Sequence, residues 1–238
     1  MGIFEYRHDE TKTIINRALK FAEDFFANDY SGHDFYHTLR VYHLANKIAE
    51  KEGGDREIIS LAAILHDVDD KKLVGTPEKK PAQKIFHNDI EQRTFEDSLE
   101  DVDEEFEACP NARRFLRSNF YPEEVVDQIC NIIERVSFSS APGPEETLEG
   151  KIVQDADRLD ALGAMSIART FAYGGAHDRP IYLPETAENS PETSIQHFYD
   201  KILKLKDLMN TETAKKLAEP RHAFVKKFLE EFYKEWEV

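Results

Sequence analysis

Three short stretches place imidazole and carboxylate groups in segments otherwise suited to a core. His37 sits on the apolar stripe of a helical pattern over residues 35–51, in line with Val41, Leu44, Ala45 and Ile48. His66-Asp67 closes the run of Ile58, Ile59, Leu61, Ala62, Ile64 and Leu65, which is apolar nearly all round and therefore suited to the centre of a domain. Gln154-Asp-Ala-Asp-Arg-Leu-Asp160 puts three carboxylates within six residues of a third apolar helical pattern. A lone histidine on an apolar stripe is most simply a core imidazole bonded to a carbonyl. The adjacent His66-Asp67 pair argues otherwise, because burying an unpaired charge costs several kcal/mol and these groups need each other or a cation.

At about 100° per residue, Asp157 and Asp160 fall on one side of their helix with Ala164. Asp155 falls on the other side, near Arg158, Leu162 and Arg169. This spacing separates two roles for the acids without choosing the ligand. Two neutral imidazoles and two carboxylates suit one divalent metal ion, Mn, Fe, Co, Ni, Zn or Mg, and an octahedral ion so held keeps about two positions for water and a substrate oxygen. That is the chemistry of metal-assisted hydrolysis. The same residues would otherwise form salt bridges and helix caps.

The elements that must position these groups are helices. Apolar residues recur at helical spacing over residues 11–28, 35–51, 149–173, 194–209 and 211–233, and again at Val125, Ile129, Ile132 and Ile133. Gly53-Gly54 stops the second pattern and Asp55 is placed to cap the next. No convincing alternating run appears, so the expected fold is all-α, a single domain over residues 1–238. An acidic insertion or lid is expected at about residues 75–110, where periodicity is lost, with extra C-terminal helices over residues 192–238.

Composition bounds the function. The 238 residues include 40% hydrophobic residues, enough for a core without disulfides or a structural metal. Lys plus Arg total 31 against 47 Asp plus Glu, a net charge of −16 that opposes general nucleic-acid binding. Residues 89–107 concentrate ten acids against the single base Arg93. Cys109 and Cys130 show no CxxC spacing and suggest neither a zinc knuckle nor a disulfide framework. With no signal core and no membrane-length apolar run, a cytoplasmic location without membrane association is expected, and a homo-oligomer is compatible with the sequence.

The pattern His37, then His66-Asp67, then Asp157 resembles the H…HD…D signature of HD-domain phosphohydrolases. His33-Asp-Phe-Tyr-His37-Thr-Leu-Arg-Val41 resembles the HDxxHxxRV stretch of one branch, and residues 149–164, EGKIVQDADRLDALGA, resemble that branch's third motif. With His197-Phe-Tyr and the Arg221 region, the likeness covers residues 30–72 and 111–231. It implies an all-helical fold, a metal held by His37, His66, Asp67 and Asp157, and hydrolysis of a small phosphorylated substrate. Matching the Ala-Asp-x-Leu core is what selects Asp157 over Asp155. Binuclear relatives supply further histidines, whereas here His87 lies in the acidic insertion and Val136 stands where related chains often have His. A single metal is therefore implied, with His33 available to a second.

The resemblance also bears on the groups around the metal. Asp70 stands three residues after Asp67, the offset at which HD nucleotidases place an acid that orients or protonates. Lys71, Arg158, Arg169, Lys201, Lys204 and Arg221 are cations of the kind a transferring phosphoryl group needs. Asp70 and Lys71 are taken as catalytic candidates, and Arg158, Lys204 and His33 as substrate-binding ones. The implied substrate is a small phosphorylated metabolite, with a nucleotide the expected class, cut at a phosphomonoester or pyrophosphate bond by a metal-activated water. The alternative, from another class, is a non-catalytic ligand-sensing HD domain with a protein partner.

Overall fold

The structure, a computed structural model, describes residues 2–27, 34–69, 108–136, 145–184 and 192–237, with residues 2–10 described as backbone only. His33, Asp70, Lys71, His87 and the acidic stretch 89–107 lie outside the described residues.

Among the described residues the chain is helical with no strand: α1 (Gly2–Phe25), α2 (Phe35–Glu52), α3 (Arg56–Leu65), α4 (Pro110–Ser118), α5 (Glu123–Val136), α6 (Leu148–Asp160), α7 (Ala164–Ala176), α8 (Ser194–Asp200), a 3-10 helix η1 (Ile202–Leu208) and α9 (Glu212–Trp236). The expected all-α class is what is found. None of these helices is long and apolar enough to cross a membrane. Both cysteines are free thiols.

α3 is the hub. Every residue from Ile59 to Leu65 is buried, and the helix packs against α1, α2, α5 and α6. Each fully buried Leu or Ile contributes roughly 1.5–3 kcal/mol relative to exposure, so this segment can anchor the groups at its C-terminal end. Its start is fixed by Asp55, whose carboxylate accepts from the Glu57 and Ile58 amides. α2 lies alongside with His37, Val41, Ala45 and Ile48 facing inward. It is capped by Asp34, which accepts from the His37 amide at 2.8 Å, and it ends at Gly53 with φ +90.

α6 packs on α2, α3 and α5. Thr147 caps it by accepting from the Gly150 amide. A Cβ at Gly150 would stand 2.1 Å from Glu145 Oε2 and 2.9 Å from the capping Thr147 Oγ1, so a side chain there would displace both groups.

Two expected helices are divided. The pattern over residues 149–173 is two helices, broken at Ala161–Gly163, where Gly163 takes φ +81, a conformation only glycine adopts at little cost. The break allows the backbone to approach Arg221 of α9, whose Cβ would be 3.2 Å from a Cβ at position 163. The stretch over residues 194–209 is likewise α8 followed by η1, because the chain must turn at Lys201 to keep Phe198, Ile202 and Leu205 buried.

Candidate metal centre

The C-terminal end of α3, the first turn of α2 and the last turns of α6 meet at one point. His37 Nε2 lies 3.3 Å from His66 Nε2, 3.4 Å from Asp67 Oδ2 and 3.5 Å from Asp157 Oδ1. His66 Nε2 lies 3.3 Å from Asp67 Oδ2. His37, His66 and Asp157 each offer a donor atom, all within 4.8 Å of one another. An ion about 2.0–2.2 Å from such donors would separate adjacent ones by roughly 3–3.5 Å, so the spacing fits a shared ion.

The orientation of each imidazole is set by its other nitrogen. His66 Nδ1 lies 2.9 Å from the Ala63 carbonyl, to which it can only donate, leaving the Nε2 lone pair for the cluster. His37 Nδ1 lies 2.7 Å from Asp160 Oδ2. Asp160, buried to 1% exposure, also accepts from Arg40 Nε at 2.7 Å, from Arg40 Nη2 at 3.0 Å and from Arg169 Nη1 at 2.8 Å. Burial would push the Asp160 carboxyl up, but the hydrogen bonds from His37 and Arg40 hold it well below the ordinary carboxylate range.

The cluster attracts positive charge. Burial acts to lower the His66 imidazole, yet Asp67 and Asp157 outweigh it and push the group up to about 9. Burial likewise opposes protonation of His37, and the carboxylates of Asp160 and Asp67 raise it above its usual value. Two imidazole nitrogens pointing at each other between carboxylates are compatible only with a proton or a metal cation among them, and the donor set suits a divalent ion. Access is from the carboxylate side. The side chains of Asp67 and Asp157 keep 11% and 27% exposure, whereas those of His37 and His66 keep 1% and 3%.

The two acids that helical spacing separated have different partners. Asp157 reaches the cluster. Asp155 is fully buried on the opposite side, where it accepts from the Asn210 and Thr211 amides, Asn210 Nδ2 and Thr211 Oγ1 at 2.7–2.9 Å, tying down the start of α9.

Arg158 donates to the Leu208 carbonyl, joining α6 to η1, and Lys204 is exposed on η1. Arg169 corrects the expectation that it shares a face with Asp155. The Gly163 break redirects α7, and the guanidinium pairs with Asp160 instead. Arg221 donates to the Leu159 carbonyl. Asp69, next to the HD pair, accepts from the Asn111 and Ala112 amides at 2.9 Å and so holds the start of α4.

Sequence reasoning assigned no role to Asp160 or Arg40. The signal was present: Arg40 follows His37, and Asp160 follows Asp157, by one helical turn, so each shares the face of a cluster residue.

Comparison with known proteins gives the family. The family model described as HD domain matches residues 34–162, a span that holds all four cluster residues. The curated relative YpgQ of Bacillus subtilis is 35% identical over 225 residues, covering 90% of this chain and 89% of its own. The crystal structure of an HD-superfamily hydrolase from Bacillus thuringiensis matches with a TM-score of 0.66 and 38% identity, over 96% of this chain and 99% of that one. The crystal structure of B. subtilis YpgQ in complex with ADP matches with a TM-score of 0.68 and 29% identity over the structural alignment, covering 95% and 96%. With the family match spanning more than half of the residues and the relatives aligning almost end to end, the chain belongs to the HD-domain superfamily of metal-dependent phosphohydrolases.

Proposed function

We propose that this protein hydrolyses a small nucleotide, with His37, His66, Asp67 and Asp157 holding a single divalent ion. The observation that carries the reading is the convergence of His37 Nε2, His66 Nε2, Asp67 Oδ2 and Asp157 Oδ1, with both Nδ1 atoms committed elsewhere. The ADP complex of a relative that aligns over 95% of this chain supports a nucleotide as the ligand class.

When bound, a divalent ion supplies the Lewis acidity that activates water and polarises a phosphoryl oxygen. The protein's own contribution is positional. Asp160 and the Ala63 carbonyl hold the two Nδ1–H groups and keep both Nε2 lone pairs directed inward. Arg40 and Arg169 keep Asp160 ionised, so the proton between Asp160 and His37 stays on the imidazole. Asp67 and Asp157 form the open rim from which a phosphate approaches. Asp70 and Lys71, immediately after the HD pair in sequence, are the candidates for proton transfer to the leaving oxygen and for phosphate charge. Arg158, Lys204 and His33 remain the candidates for holding the substrate, and free thiols at Cys109 and Cys130 accord with a cytoplasmic setting.

The test is a screen of the metal-reconstituted protein against nucleoside mono-, di- and triphosphates and sugar phosphates, resolving phosphate from pyrophosphate release. Turnover confined to nucleotides, and abolished in His66→Ala and Asp67→Ala together with metal retention, is expected. Unchanged metal content in both variants would overturn the ligand assignment, and turnover of sugar phosphates alone would overturn the substrate class.

A further inference from the structure

An open cavity of about 430 Å3 adjoins Asp160, and none of the four cluster residues lines it. Its charged walls are Arg40 and Lys47 of α2, Arg221 of α9 and Asp160, and Leu44 and Leu162 are part of its apolar lining. We propose that this cavity binds a small organic phosphate, with the anionic group among Arg40, Lys47 and Arg221 and the apolar body against Leu44 and Leu162. Such a ligand would be separate from the substrate at the metal centre, and its binding does not depend on the hydrolytic reading.

Charge is the first argument. The chain carries −16 overall, yet three cations face this cavity against one acid. That acid is also paired with Arg169 and His37, which lie outside the cavity lining, so the walls keep a positive excess even though Arg40 is itself bound to Asp160. Lys47 is exposed and forms no ion pair among the described residues. Such an excess of positive charge in an acidic protein draws anions to this spot.

Rigidity is the second. Arg40 is held through Nε and Nη2 by the buried Asp160, and Arg221 is anchored by Nη1 on the Leu159 carbonyl and packed against the Gly163 backbone. Two cations are therefore fixed before any ligand arrives, which reduces the ordering cost of binding. The amino end of α7 also borders the cavity, adding a favourable dipole for an anion.

Size then chooses the class. A volume of about 430 Å3 lies in the usual range for small-molecule sites, roughly 300–1,000 Å3. The apolar lining favours a phosphate attached to an organic body.

The test is calorimetric titration of the metal-free full-length protein with AMP, and separately with inorganic phosphate. Lys47→Glu reverses an exposed charge, and circular dichroism checks that its fold is kept. AMP is expected to bind the wild type more tightly than phosphate does, to bind Lys47→Glu at least tenfold more weakly, and to bind Asp157→Asn with unchanged affinity. Absence of AMP binding, or equal affinity in Lys47→Glu and the wild type, would overturn the proposal. A clear gain in AMP affinity in Asp157→Asn, which removes a carboxylate that would repel a phosphate near it, would also overturn it, by showing one continuous site reaching the metal centre.

Discussion

Replacing Asp160 with Asn tests how the candidate metal centre is held together. The carboxylate is 1% exposed and accepts four hydrogen bonds, from His37 Nδ1, Arg40 Nε, Arg40 Nη2 and Arg169 Nη1. Asn keeps the shape but has one oxygen, and its amide nitrogen would face donors. Removing one partner of a buried ion pair costs about 3–5 kcal/mol. Arg40 and Arg169 retain 30% and 20% side-chain exposure and can regain some solvent, so the lower end, about 3 kcal/mol, is expected. For a chain of this length that corresponds to a fall in Tm of about 6–12 °C. A second effect is specific to the site. Facing an amide N–H, the His37 imidazole gains by accepting at Nδ1 and carrying its proton on Nε2, the nitrogen that points at the cluster. The ligand lone pair is then lost, and metal affinity should fall about 10–100-fold, or roughly 1.4–2.7 kcal/mol. The assay pairs thermal unfolding of the metal-free protein with a competitive metal titration, using Asp155→Asn as a control that also disrupts a buried carboxylate. Wild-type metal affinity in Asp160→Asn, alongside a stability loss like that of the control, would refute the argument that Asp160 orients His37.

Asp157→Asn should lose metal with little change in stability, whereas Asp155→Asn should retain metal but lose about 1–3 kcal/mol by orphaning a buried donor at the start of α9, both read by metal analysis and urea unfolding. The reverse pattern would show that the two acids have been given each other's role. Gly163→Ala should destabilise by about 1–2 kcal/mol, because φ +81 is unfavourable for a side chain and its Cβ would press on Arg221; an unchanged urea midpoint would contradict this. Changing Glu100, Asp101, Asp103, Glu104 and Glu105 to Gln or Asn should leave kcat unchanged and KM little altered at physiological salt, where screening acts over about 8 Å. A hundredfold loss in kcat, about 2.7 kcal/mol of barrier, would place that acidic segment at the active site.

The chemistry of this protein was legible in its residues because apolar helices do not tolerate unpaired imidazoles and carboxylates. The adjacent His66-Asp67 pair stands out for that reason, whereas His37 taken alone reads as a core imidazole; helical spacing separated Asp157 from Asp155, and only the resemblance to HD-domain proteins chose between them. All-α class followed from the 3.6-residue period of the apolar positions and the lack of alternation. What periodicity could not show was where a helix turns. The pattern from residue 149 to 173 runs on through Ala161–Gly163, so in sequence Arg169 shares a face with Asp155, and only the left-handed Gly163 sends it to Asp160. The partner of His37 Nδ1 is 123 positions away and that of Asp155 lies 55–56 positions away, so neither pairing has a local signature. Side-chain type limits which groups need a partner, but the partner itself is set by which helices pack together. That packing depends on burying α3 among four neighbours at once, a property of the whole chain.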